Sequence, residues 1–383
     1  MVKARARRQM GYLLRTDMFL QNLSVLSGRP VEKLHHHDTL GYCMNRINPD
    51  DLRKVRTKMI RQLLRKRVLE KYRLLRQYYM IAIDMTGYLV FQQQHCPQCL
   101  RKEHEGKVVY WYHPVVEAKL VTANGFALSI ESEFVENSNP KATKQDCELK
   151  AMYRLIDRLK KNFPQLQMCL LLDGLYANGS VLERVAHKQW KCIITFKEGC
   201  MSDVWKNYQG LKKLQATQTG PCVYNNVIHT CQWVNGVEYQ GKNLSVLECH
   251  TPASQDPAKP FVWLTDIEVR RTNYTDIVKG GRSRWTIENQ GFNMQKNGGY
   301  RLEHAYSEHP VGMQNFYLLL QIAHIINQLM EKGSLLKDKI HSVLGSIHNI
   351  ARQLLEELRT IKIDRARFNA FADLSFQIRF DTS

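Results

Sequence analysis

The chain has 383 residues, 44% hydrophobic and 24% charged, a balance that excludes a disordered or collagen-like polymer and allows two or three domains with a sizeable core. Its 55 Lys+Arg against 36 Asp+Glu give a formal net charge of +19, which points to a polyanionic partner. No apolar run reaches the length of a membrane span: the nearest, Phe316 to Met330, is interrupted by Gln321, His324, Asn327 and Gln328 and reads as a buried core helix.

Residues 1–76 hold 19 Lys+Arg and 6 Asp+Glu, a local net charge of +13, and read as a basic helical region. Nucleic acid is the leading partner, because Lys and Arg contacts to phosphate release counterions. A solvated basic helix surface is the alternative. His35 to His37 read as a solvated loop before a helix capped by Asp38 or Thr39. Asn48-Pro49-Asp50-Asp51 opens a further helix, with Leu52, Val55, Met59, Leu63, Val68 and Leu75 expected on one face. The start of the chain lacks the apolar segment of a signal peptide, and ten scattered cysteines show no small-scaffold spacing. A cytoplasmic setting with mostly free thiols is expected.

From Tyr79 the pattern changes to short apolar runs. A strand is expected to end at Asp84. Strands over 107–121 and 126–135 are joined by the hairpin signal Thr122-Ala123-Asn124-Gly125. An amphipathic helix over 144–163, a strand ending at Asp173, a short helix over 178–189 and a strand over 191–196 follow. Meandering strands that then alternate with helices predict an α/β fold with a mixed sheet. Residues 201–258, with a hairpin signal at Asn235-Gly236, read as a β-rich insertion. A strand resumes over 259–269, a helix spans 282–296, a loop covers 297–310, and helices fill much of 311–383.

Two apolar runs that end in carboxylates, Asp84 and Asp173, point to a shared site, and Glu288 is the natural third acid. It lies four residues after Arg284, on the same face of a helix. The plainer alternatives are turn or cap roles for the aspartates and an Arg284–Glu288 pair. Acids clustered in a basic protein suit phosphodiester chemistry. Two Mg²⁺ or Mn²⁺ ions on carboxylate oxygens activate a nucleophile and stabilise a leaving oxygen, while cations hold the nucleic acid.

The stretches "YYMIAIDMTG", "KQDCELKAMYRLIDRLKK", "CLLLDGLYANG" and "RSRWTIENQGFNMQKNGGYRLEHAYS" resemble the DDE transposases of bacterial insertion sequences, the type with a β-strand insertion before the glutamate. The resemblance runs from about Arg5 to about Met330. It implies an RNase H-like mixed sheet flanked by helices, in two parts: residues 77–200 and 259–310, the second carrying the glutamate helix. It also implies catalytic and metal-binding roles for Asp84, Asp173 and Glu288, and helical regions at 1–76 and 311–383, the first binding DNA. The implied activity is cleavage at transposon-end repeats and joining to target DNA, by a homodimer on double-stranded DNA near the bacterial nucleoid. A nuclease without the joining step and a truncated DNA-binding remnant are the alternatives, since the chain begins late relative to the family. Arg282, Arg284 and Lys296 are candidate DNA contacts. Arg284 and Glu288 fit the family's tyrosine-arginine-glutamate-lysine spacing, but Gly281 holds the tyrosine position and Gln295 the lysine position, with Lys296 one residue later. Trp285 reads as core, with stacking on a base as the alternative.

Cys96 and Cys99 form a Cys-Pro-x-Cys knuckle, half of a structural Zn²⁺ site, with His113, His104 and His95 as candidate further ligands. Cys96, Cys99 and His113 are the favoured set. The alternative is a tight hairpin turn with two free thiols. Cys169 and Cys192, inside apolar strands, read as core.

Overall fold

The computed structural model describes residues 7–137, 145–251, 260–333, 345 and 347–373. The start of the chain near Arg5, the 252–258 end of the expected insertion and the tail after 373 lie outside them. Four helices come first: α1 (Arg7–Leu13), α2 (Asp17–Ser27), α3 (His37–Arg46) and α4 (Pro49–Arg65). The Asn48 side chain caps α4 by accepting from the Asp50 amide. The cap of α3 is His36 rather than Asp38 or Thr39: its ring accepts from the Asp38 amide.

A meander follows, of β1 (Tyr79–Phe91), β2 (Leu100–His104), β3 (Lys107–Val121) and β4 (Ala127–Phe134). Then helices alternate with strands: α5 (Glu148–Asn162), β5 (Met168–Leu172), α6 (Gly179–His187) and β6 (Lys191–Thr195). Gly125 supplies the positive φ of the β3–β4 turn, as the hairpin signal requires. The region read as purely β-rich opens with a helix, α7 (Ser202–Leu214), before β7 (Thr219–Tyr224), β8 (Val227–Tyr239) and β9 (Lys242–His250). After β10 (Phe261–Thr265) come α8 (Tyr274–Ser283), a π-helical segment (Ile287–Phe292), α9 (Asn293–Asn297), α10 (Pro310–Lys332), α11 (Ile347–Thr360) and α12 (Arg365–Ala372).

The strands make one mixed sheet in the order β2-β3-β1-β5-β6-β10-β9-β8-β7, with β4 alongside the later half of β3. β1, β5 and β6 run parallel, β3 is antiparallel to β1, and β10 is antiparallel to β6. Because β9 pairs with β10, the inserted strands prolong the central sheet instead of forming a separate one. Alternation along β1 separates two layers. Ile81 and Ile83 join the larger core with Leu155 and Ile156 of α5, while Met80 and Ala82 pack with Leu171, Trp263, Ile277 and Ile287 on the α8 side.

The first and last segments are not independent of this core. Asn22 of α2 donates to the carbonyls of Leu358 and Ile361 at the end of α11, and α10 packs on α3 and α4. The expected apolar face of α4 is rotated: Val55 is exposed, Val68 and Leu75 lie beyond the helix, and the buried positions are Arg56, Thr57, Ile60 and Leu63. Arg56 is buried because Glu131 on β4 meets it at 2.7 Å. The polar interruptions of α10 are buried for a like reason. Gln321 accepts from Lys119 at 2.7 Å, and Gln328 bonds both backbone groups of Ala127.

Cys231 and Cys249, directly opposed on β8 and β9, form a disulfide, and eight cysteines are free, with Cys169 and Cys192 buried in their strands. Among the described residues no helix is long and apolar enough to cross a membrane.

Candidate active site

The parallel register between β1 and β5 pairs Tyr79 with Met168 and continues to Ala82 with Leu171, a constant offset of 89. Two steps further along, the same offset sets Asp84 level with Asp173. β5 stops at Leu172, and Asp173 turns the chain by accepting from the Leu175 amide at 2.9 Å. β1 does not stop with it. Contrary to the expectation that Asp84 ends its strand, β1 runs on to Phe91, held by β3 alone once β5 has turned away. Asp84 thus sits mid-strand at the edge of the opening where two neighbouring strands part, a place where open α/β sheets bind ligands.

Asp84 has the parity of Met80 and Ala82, so it faces the α8 layer. There the α-helical hydrogen-bond ladder is interrupted at Arg284, whose dihedrals stay helical, and the next turn is π-helical from Ile287 to Phe292. A π-turn inside a helix re-aims its side chains and occurs frequently at functional sites. Gly291 lies where an added Cβ would come within 2.9 Å of the buried Lys119 side chain, so this turn packs closely on β3. Arg284 donates to Asp84 at 3.3 Å, and Glu288 on the π-turn is solvent-exposed. Burial raises the Asp84 carboxyl to about 6. Arg284 and the Met85 amide oppose that shift, while the charges of Asp173 and Glu288 add to it. The three acids are therefore close enough to feel one another. Their oxygens are more widely spaced than a single-ion cage: among the described residues, the groups of three ligands within 4.8 Å of one another are Cys96–Cys99–His113 and His36–His37–Asp38.

A fourth acid joins them. Glu148, in the first turn of α5, accepts from the Tyr176 hydroxyl at 2.7 Å. Burial raises its carboxyl above the usual range, and the charges of Asp173 and Asp84 add to the shift. Sequence reasoning placed the helix but gave Glu148 no role. The available signal was its neighbourhood, an acid at a helix start between the two strands that carry the aspartates.

The other expected residues are dispersed. Arg284 is turned toward Asp84. Arg282 lies 4.0 Å from the Phe261 ring centroid and 4.7 Å from that of Tyr224, against the inserted strands. Lys296 pairs with Glu303 at 3.0 Å, and Gln295 is buried against Gln321 and His324, so neither holds a free cation toward the acids. Trp285, expected in the core, is half-exposed under the Arg284 guanidinium, because its helix face is the outer one it shares with the exposed Glu288 and Asn289. A groove of about 570 Å³ between α4 and α5 is lined by Arg53, Lys54, Lys58, Arg61, Arg158 and Lys161. The chain matches no protein-family model and no curated protein.

Proposed function

We propose that the chain is a DNA transposase with an RNase H-like core, acting through metal ions held by Asp84, Asp173 and Glu288. The observation that carries this reading is the level placement of Asp84 and Asp173 on parallel neighbours, on the side of the sheet where the π-turn presents Glu288. The run β4-β3-β1-β5-β6, with β3 antiparallel and the rest of the centre parallel, supports the fold that the motifs imply.

The donor set fits Mg²⁺ or Mn²⁺. Asp84, Asp173, Glu148 and Glu288 offer hard oxygen donors, and a carboxyl that burial pushes up, with neighbouring carboxylates adding to the shift, is where a divalent cation is accommodated. A wide acid group suits two ions better than one. When bound, such ions supply Lewis-acid activation of the attacking oxygen and charge relief at the leaving one. The protein's part is to hold the acids in place. Backbone amides fix one oxygen each of Asp84 and Asp173, and Arg284 orients the other oxygen of Asp84. The cations of the α4–α5 groove hold phosphates of double-stranded DNA, and a homodimer brings one acid cluster to each transposon end.

The test uses a plasmid carrying the DNA that flanks the gene, with Mg²⁺ or Mn²⁺, and compares wild type with Asp173→Asn. End cleavage and joining by wild type alone supports the reading. Cleavage without joined products reduces it to a nuclease. Binding of the ends by both proteins without cleavage leaves a DNA-binding remnant.

A further inference from the structure

Away from the acids, three side chains converge where β1, β2 and β3 leave the main sheet. The Cys96 and Cys99 sulfurs lie 3.6 Å apart, and His113 Nε2 is 3.5 Å from the first and 3.2 Å from the second. Tetrahedral Zn²⁺, with bonds of about 2.3 Å to sulfur and about 2.0–2.1 Å to nitrogen, sets its ligands about 3.8 Å apart for a sulfur pair and about 3.5 Å for a sulfur–nitrogen pair. The triad already has nearly those separations.

Local structure explains how. The Cys99 amide donates to the Cys96 carbonyl, closing the knuckle as a turn, and β2 then pairs with β3 so that Leu100 opposes Tyr112, next to His113. His104 lies at the far tip of that hairpin, opposite Lys107. Cys99 and His113 are each 1% exposed. His113 Nδ1 is buried without a partner, so every bond the ring makes in this fold is on the sulfur side.

His95 stands next to this group, outside the 4.8 Å within which the other three ligand atoms meet, and is the candidate fourth ligand. Its Nε2 lies 2.9 Å from the Glu308 carbonyl, and its ring stacks on Phe91, 6.4 Å from the His113 ring. An Nε2–H that donates to a carbonyl leaves the Nδ1 lone pair for metal, the outer-shell arrangement usual for ligating histidines.

We infer that Cys96, Cys99 and His113 bind a structural Zn²⁺ ion, completed by His95, that clips the β2–β3 hairpin to the turn after β1 and to the start of α10. Binding at neutral pH displaces both thiol protons, so the ion is held by two thiolates and two neutral imidazoles.

The full chain, purified under reducing conditions without a histidine tag, is assayed for bound metal. It is then reloaded with Co²⁺ as a spectroscopic probe. One zinc per chain is expected, with tetrahedral cobalt bands and a charge-transfer band from two thiolates. Cys96→Ser and His113→Ala should abolish the stoichiometric metal, and His95→Ala should keep both sulfur ligands while weakening affinity at least about tenfold. His36→Ala, in the other His–Asp cluster, should change nothing. Cys96 is the more exposed sulfur, so its variant carries the test if a buried substitution unfolds the protein. Thiol labelling gives a second readout: two cysteines should become reactive only after chelation. Metal content that survives Cys96→Ser, or a Cys96–Cys99 disulfide in the reduced preparation, overturns the assignment.

Discussion

Two groups of charges, one on β3 and β4 under α10 and the other where β1 and β5 part, are built on opposite terms. Under α10, Glu117 and Glu131 are fully buried, and so are Arg56 and Lys119. Arg56 reaches Glu131 at 2.7 Å and Ser129 at 3.1 Å, and Glu117 takes hydrogen bonds from Tyr317 and Ser129, with Lys119 at 3.6 Å. Arg53 and Arg158 also stand 3.9 Å from Glu131, and hydroxyls and amides take most of the remaining positions, with Arg56 Nε left without a partner. At the strand opening, four acids gather instead, and Arg284 is the cation that reaches Asp84. Paired buried charge fixes how elements pack, and the surplus of negative charge is what marks a site for a cation.

The largest effect expected from this contrast is on stability. Arg56→Met removes the cation closest to Glu131, leaving Arg53 and Arg158 at 3.9 Å and the Asn162 amide at 2.8 Å, and should destabilise the protein by about 3 kcal/mol in urea unfolding. A change below about 1 kcal/mol would show that the pair is not as buried as described. Glu288→Gln at the other group should cut DNA-end cleavage about a thousandfold, since several kcal/mol of transition-state stabilisation are removed, while gel-shift affinity for DNA stays within about twofold.

Asp84→Asn should act in the opposite direction from Arg56→Met. Burial pushes the folded Asp84 carboxyl up to about 6 from its ordinary 3.8, so the native state binds the extra proton between those values. Its contribution is fully present below the unfolded value and is lost as pH rises through about 6. Metal-free Asp84→Asn should therefore be more stable than wild type by about 1–3 kcal/mol at pH 7, with the advantage gone near pH 4, as read by denaturant melts at both pH values. Equal stability at pH 7 would mean that the acid group carries no strain of charge. The smallest effect is reserved for Glu148→Gln, which should slow cleavage about tenfold and raise the Mg²⁺ concentration at half-maximal rate. An unchanged metal requirement would limit Glu148 to its bond with Tyr176.

Much of this was legible in the sequence, for definite reasons. The hairpin, the alternating helices and strands and the two aspartates follow from short apolar runs cut by turn residues. The placement of Cys99 opposite His113 rather than His104 needed only the hairpin register. What stayed hidden depends on distant partners. Arg56 looks like one more surface cation until Glu131 is folded beneath it, and Gln321 and Gln328 look like interruptions until Lys119 and Ala127 meet them. The helix expected over 282–296 is present, but its π-turn has no periodic signature of its own and shifts the faces on which the residues after it lie.

The four register pairs from Tyr79–Met168 to Ala82–Leu171 join segments 89 residues apart. Such pairing must close a long chain segment before any contact offsets its entropy, whereas the β3–β4 hairpin closes locally. A one-residue slip of β5 along β1 would turn Asp173 to the opposite face and bring Leu172 or Gly174 level with Asp84 instead. The backbone ladder just short of the acids thus decides which side chains meet where the two strands part.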